Sequence, residues 1–217
     1  MSSSTAVTVA GITGIPGYAG AVPWQGPRPT CLPIAVSAAH QVSRSMHPPL
    51  SPEALWRHAL RSGLADADGT TPGAMETALA TVGQPLLTDW PYEPTIAPTK
   101  SAASPTPPPA ALFGQLHHVA LPGGLALLGA GMPLVLLIHI TETFSLVDAS
   151  GAVADRSNQR RQGLHAVLAV GSDTTGDIDR VLIRNSWGAD WGVRGHCVLT
   201  TDYINEYADS AWLVIPT

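Results

Sequence analysis

The sequence predicts an α+β fold, mainly helical in its first half and mainly β-sheet in its second. Three observations carry this. Apolar residues recur at helical spacing up to Gly83; short apolar runs between Gly, Asp and Ser turns follow after Pro133; and a Pro-rich stretch, 94–109, separates the two regimes. In the first half, Cys31 to Val42 is rich in small and apolar residues. Thr30 is available as its N-cap, and Pro33 is tolerable in a first turn. A second helix opens at Ser51-Pro52-Glu53, ahead of Leu55, Trp56, Ala59 and Leu60 on one face. A third follows Gly73, runs from Ala74 to Val82 and is stopped by Gly83. In the second half, Leu134 to Ile140, His165 to Val170, Arg180 to Arg184 and His196 to Thr200 read as strands, with one short helix between Gly123 and Gly131. The Pro, Ser, Thr and Ala content of 94–109 cannot bury enough apolar surface to order itself, and predicts an exposed excursion.

Composition narrows the function. At 217 residues the chain has room for one domain of two lobes. Charged residues make up only 12%, and the net charge of -5 is spread without a basic run, which sets aside nucleic-acid binding. The stretch from Met1 to Gly20 lacks the charged start and apolar core of a secretory signal, and Leu125 to Ile140 is too short and too broken to span a bilayer. Two cysteines cannot make a framework of several bridges and suit a reducing compartment, so the expected localisation is cytoplasmic, without a membrane partner. His117 and His118 alternate faces on a strand, a poor metal pair, and His40, His47, His58, His139 and His196 each read as surface or helical-face residues. Neither a metal nor a cofactor is expected.

A thiol attacks a carbonyl only as thiolate, and a helix N-terminus or a cationic neighbour favours that form. Cys31 stands at the start of the first expected helix, whereas Cys197, in an apolar strand, reads as a packed thiol. Gln25 lies six residues before Cys31, where a loop can fold its amide beside the sulfur as an oxyanion donor. His165 opens a strand and can serve as base. Asn185, in Asn185-Ser186-Trp187-Gly188-Ala189-Asp190-Trp191-Gly192, can orient an imidazole next to two indoles that exclude water.

Together these segments resemble the papain-like cysteine peptidases, in which a cysteine is followed by His and Asn about 130 to 150 residues downstream. The resemblance extends between the motifs, through Leu50 to Leu55, Trp90-Pro91-Tyr92, Met132 to Val135 with Phe144, and Tyr203 to Pro216. It implies a papain-like two-lobe fold over 1–217, in which 24–112 is a mainly helical lobe carrying Cys31. The rest, 113–217, would be a barrel-like β lobe carrying His165 and Asn185, with the active-site cleft between the two. It further implies Cys31 as nucleophile, His165 as acid and base, Asn185 as its orienter, Gln25 on the oxyanion and Trp187 as a cover. Gly73 would pair its backbone with an extended substrate, and Met75, Leu137 and Ala166 would form an apolar substrate pocket.

The expected function is peptide-bond hydrolysis of a peptide or protein substrate through a thioester. Acyl transfer on the same site and a catalytically silent binding module are the alternatives. Two departures stand out. Arg28-Pro29-Thr30-Cys31-Leu32 replaces the family's Cys-Gly-Ser-Cys-Trp, removing a disulfide cysteine, a glycine and a tryptophan, and Pro72-Gly73 replaces its Gly-Gly. With few residues ahead of Gln25 for an inhibitory propeptide, control is expected from compartment, substrate scarcity or a protein regulator.

Overall fold

The computed structural model describes residues 6–16, 22–46, 48–106, 109–175 and 179–217. Parts of the N-terminal stretch Met1 to Gly20, His47, and residues 107–108 of the Pro-rich stretch therefore lie outside the described residues. In chain order the elements are strands β1 (Thr8–Val9) and β2 (Ile12–Thr13), helices α1 (Cys31–Ser43), α2 (Glu53–Arg61) and α3 (Pro72–Thr81), then strand β3 (Gly114–Val119) and a 3-10 helix (Gly123–Ala130). There follow β4 (Leu134–Ile140), α4 (Glu142–Ser145), β5 (Gly163–Asp173), β6 (Arg180–Arg184), β7 (His196–Thr200), α5 (Thr201–Tyr207) and β8 (Ala208–Pro216). Helices first and sheet second is the expected α+β order, and β4, β6 and β7 keep the bounds read from the sequence.

The chain forms two compact units, one of residues 1–23 and 118–213, the other of 24–117 and 214–217. The division thus falls after His117 rather than after Leu112, and it returns the last four residues to the helical unit. Thr217 N–H donates to the Phe113 carbonyl there, and Arg44 Nη2 donates to the Thr217 carbonyl at 2.7 Å.

In the helical unit, α3 turns Ala74, Met75, Ala78 and Leu79 inward and packs with α2 and α1. It begins two residues earlier than expected. Thr71 caps it by accepting the Ala74 N–H at 3.3 Å, and Pro72 occupies a first-turn position that needs no N–H donor. His40 is wholly buried, its Nδ1 2.9 Å from Gln84 Oε1. At the centre lies a buried ion pair. Arg28 and Glu53 are both fully enclosed and meet through two contacts, Nη1 to Oε1 and Nη2 to Oε2. Glu53 also accepts the Glu93 and Ala102 N–H groups at 3.3 and 3.2 Å, while Arg28 donates to the Glu93 and Lys100 carbonyls at 2.9 and 3.1 Å. Trp56 Nε1 donates to the same Lys100 carbonyl at 2.9 Å. The Pro-rich stretch is therefore pinned at Lys100 to Ala102 by its backbone, and fewer than half of its described residues are exposed, with Ala102 buried, where composition predicts an exposed excursion.

The β unit is built on the sheet order β3-β8-β4-β5-β6-β7, with β3 and β8 each running on into the other unit. Strands β4, β5, β6 and β7 pair antiparallel in sequence, and β8 pairs antiparallel with β4. Side chains alternate faces along a strand. Leu134, Leu136 and Ile138 of β4 and Val167 and Ala169 of β5 therefore share one core with Phe144, Cys197, Tyr203 and Tyr207. Cys197 is the packed thiol expected, and burial pushes its pKa far up. Among the described residues no helix is long and apolar enough to cross a membrane, and no group of three or more His, Cys, Asp or Glu could hold a metal ion.

Two of the histidines read as surface or helical-face residues are buried, which favours their neutral form. Desolvation lowers the pKa of His40, and lowers that of His196, which is 1% exposed, from 6.5 to about 4. The unfolded chain then binds more protons than the folded one below about pH 6.5. Stability is full above that pH and falls as the pH drops toward 4, by roughly 3 kcal/mol for His196. Urea unfolding between pH 4 and 7 should show this fall, and a His196→Asn variant should flatten it.

Candidate active site

The residues singled out by their chemistry fall into two groups, one in each unit. In the β unit, His165 is 4% exposed and Asn185 3% exposed, and His165 Nε2 lies 2.7 Å from Asn185 Oδ1. Register explains the meeting. His165 stands opposite Ile138 on β5, and β6 pairs Arg184 with Leu168, so Asn185 leaves the end of β6 beside the start of β5. Asn185 Oδ1 also accepts the Ser186 N–H at 2.7 Å, which identifies that atom as the oxygen. The oxygen has no hydrogen to give, so His165 Nε2 carries one and donates it. Nδ1 is the ring nitrogen not engaged by Asn185.

Aromatic rings enclose this bond. Trp187 lies 4.8 Å from the His165 ring at 35°, and Phe144 lies 6.3 Å from it. Trp191 lies tilted at 5.0 Å from Phe144 and edge-on at 5.5 Å from Trp187. The chain can hold two indoles here because Gly192 turns with φ +57, where a Cβ would come within 2.4 Å of the His196 carbonyl. The Asn185 N–H donates to the Gly195 carbonyl at 3.0 Å, closing the loop.

In the helical unit, Cys31 is the first residue of α1, a helix of 13 residues, and is half-buried. Thr30 precedes it but does not cap the helix with its side chain. Its hydroxyl is 2.5 Å from the Tyr92 hydroxyl instead. Tyr92 donates its single proton to the Gln25 carbonyl at 2.8 Å, so Thr30 is the donor in that contact. Gln25 Nε2 in turn donates to the Arg28 carbonyl at 2.9 Å, which folds its side chain back along the loop toward Cys31.

Two expected substrate contacts do not hold. Gly73 is in no extended strand: it is exposed in the first turn of α3, where its carbonyl accepts from Thr77 Oγ1 at 3.0 Å. Met75 belongs to the inward face of α3 and is 0% exposed, so it offers a substrate no surface. Leu137 and Ala166 are cross-strand partners on the sheet face opposite His165 and retain 6% and 3% exposure. Sequence reasoning passed over Gly69. It has φ +130, adjoins the bridge between Ala65 and Thr70, and a Cβ on it would lie 3.6 Å from the carbonyl of Pro29 in the Cys31 loop. The Asp68-Gly69 pair, a turn signal, was the available clue.

Comparison with known proteins places this geometry among the papain-like folds. Residues 125–212 match the family model described as papain family cysteine protease. Mouse cathepsin O is 38% identical over 60 residues, which are 28% of this chain and 19% of that protein, so the match spans about a fifth of the relative's length. Two solved structures resemble the whole chain more broadly. Xylellain, a cysteine protease from Xylella fastidiosa, superposes with a TM-score of 0.72 at 21% identity, covering 92% of this chain and 84% of its own. Procathepsin B S9 from Trypanosoma congolense gives 0.75 at 13% identity, covering 94% and 74%. The fold is papain-like, and the resemblance to the papain-like cysteine peptidases read from the motifs is borne out.

A buried Nε2–H held by Asn185 should exchange slowly with water. Its proton NMR resonance should be visible at low field, be lost in Asn185→Ala, and broaden in Trp187→Ala as solvent gains access. A resonance unchanged in both variants would contradict the geometry.

Proposed function

We propose that this chain is a cysteine peptidase that hydrolyses peptide bonds in a peptide or protein substrate through a thioester. The observation that carries the reading is the His165–Asn185 bond of 2.7 Å under Trp187, in a chain whose Cys31 begins a long helix. The N-terminal end of α1 favours a thiolate over a thiol. Cys31 Sγ attacks the substrate carbonyl carbon, the C–S bond forms, and the carbonyl electron pair moves onto oxygen. The Cys31 N–H and the Gln25 amide stabilise that oxyanion, and loss of one such donor typically lowers turnover by roughly 10² to 10³. His165 Nδ1–H gives its proton to the departing amine as the C–N bond breaks, leaving the thioester. Water then attacks the acyl carbon and yields its proton to Nδ1. The C–S bond breaks, and the thiolate returns with release of the acid. Asn185 keeps the ring in one orientation through both halves.

In this reading Gly69 takes the part expected of Gly73, pairing its backbone with an extended substrate. Its place beside the Cys31 loop and its φ support the assignment. The few cysteines favour a reducing, cytoplasmic setting.

A thiol-directed epoxide should label Cys31, and Cys31→Ala should abolish both labelling and peptide cleavage. His165→Ala should slow labelling at least tenfold at neutral pH; equally fast labelling there would sink the activation scheme. Product mass separates the alternatives, since hydrolysis adds one water and transfer to an amine does not. Gly69→Ala should raise KM severalfold while changing kcat little, whereas Gly73→Ala should leave both near wild type.

A further inference from the structure

The loop from Gln25 to Cys31 has no disulfide to hold it, and Arg28 occupies the position of the family's bridging cysteine. Arg28 is 0% exposed, its guanidinium lies 4.7 Å from the centroid of the Tyr92 ring, and it meets Glu53 through both terminal nitrogens. A guanidinium answers a carboxylate with two parallel donors and so fixes direction as well as distance. From this anchor and the tyrosine beneath it three bonds run to Gln25 and Thr30 of the Cys31 loop. The Arg28 carbonyl receives the Gln25 amide at 2.9 Å. Tyr92, under the guanidinium, bridges the Gln25 carbonyl at 2.8 Å and the Thr30 hydroxyl at 2.5 Å. A hydroxyl that bonds both the residue before Cys31 and the backbone of the oxyanion donor holds the two ends of the loop in one register.

We propose that Arg28, with Glu53 and Tyr92, is a positioning device that sets Gln25 and Cys31 in register for attack, in addition to holding the helical unit together. The inference rests on the peptidase reading for its catalytic consequence, but not for its structural one. The buried pair fixes the Arg28 backbone, that backbone fixes the Gln25 amide, and Tyr92 fixes the turn into α1. The device lies wholly within the helical unit and acts through the Cys31 loop without touching substrate.

The test compares wild type with Tyr92→Phe, Arg28→Lys and the double variant Arg28→Met with Glu53→Met. Removing both charges together leaves no buried ion unpaired. Thermal unfolding, kcat and KM on a fluorogenic peptide, and the alkylation rate by iodoacetamide are measured for each. Cys197 is 0% exposed, so alkylation of the folded protein reports Cys31. The double variant takes from the Glu93 and Ala102 N–H groups and the Glu93 and Lys100 carbonyls their side-chain partners, so it should unfold below the wild-type temperature, and it should lose kcat roughly 10- to 100-fold, part of what an absent oxyanion donor removes, with KM within about twofold. Tyr92→Phe keeps the ring over Arg28 and loses only the hydroxyl bridge; its kcat should fall about tenfold. Arg28→Lys keeps the charge without the fork and should fall between wild type and the double variant.

Variants that change unfolding temperature while kcat and Cys31 alkylation stay within about twofold of wild type would reduce the pair to a structural role and overturn the proposal. If the double variant does not fold, Tyr92→Phe decides by the same criterion. If wild type cleaves no peptide, the peptidase reading fails, and the alkylation rates alone decide the positioning claim: altered rates in Tyr92→Phe support it and unaltered rates overturn it.

Discussion

Taking a charge out of water is tolerable only when the groups around it answer its hydrogen-bonding capacity. Arg28 and Glu53 impose that condition on the first half of this chain. Glu53 opens α2 and Arg28 lies in the loop before α1, so their pairing draws two elements together. The demand reaches further, because Glu53 also needs the N–H groups of Glu93 and Ala102, and Arg28 needs the carbonyls of Glu93 and Lys100. A segment that composition marks as unable to order itself is thereby recruited as backbone ligand to a buried ion pair. Breaking one partner of such a pair typically destabilises a protein by roughly 3–5 kcal/mol.

The same condition, applied to a ring and an amide, shapes the other unit. His165 and Asn185 are polar side chains almost closed to solvent, and each answers the other across the gap between β5 and β6. The bond does not need to be strong to matter. Its direction fixes which imidazole nitrogen is turned toward Asn185, and the rings of Phe144, Trp187 and Trp191 keep water from competing for it. Apolar packing thus protects a polar arrangement, which explains the glycine that follows the second tryptophan: at Gly192 a side chain would strike the His196 carbonyl.

Much of this was legible in the amino-acid order because it depends on local periodicity and on rare residue types in fixed spacing. Strands such as Leu134–Ile140 and Arg180–Arg184 are short apolar runs with turn residues at both ends, and nothing distant competes for them. Cys31 at a helix start and Asn185 before paired indoles are visible for the same reason. Less legible were Gly73 and Gly69. A helix that could open at either Pro72 or Ala74 is resolved by the Thr71 cap, and which glycine lies beside the Cys31 loop depends on chain that returns to Pro29 from forty residues away. Thr30 is similar: at a helix start its hydroxyl has two uses, and Tyr92 decides between them.

The sequence by itself determined the three long helices of the first half, four strands of the second, and the resemblance carried by Cys31, His165 and Asn185. These follow from side-chain type and from periods of a few residues. Only the tertiary structure decided the tautomer of His165, the burial of His40 and His196, the partners of Arg28 and the anchoring of the Pro-rich stretch. The physical reason is one of range. A hydrogen bond to a buried charge or ring is made with whatever group the fold delivers, and in this chain those groups come from residues tens of positions away, often from backbone atoms that every residue carries and no sequence pattern distinguishes.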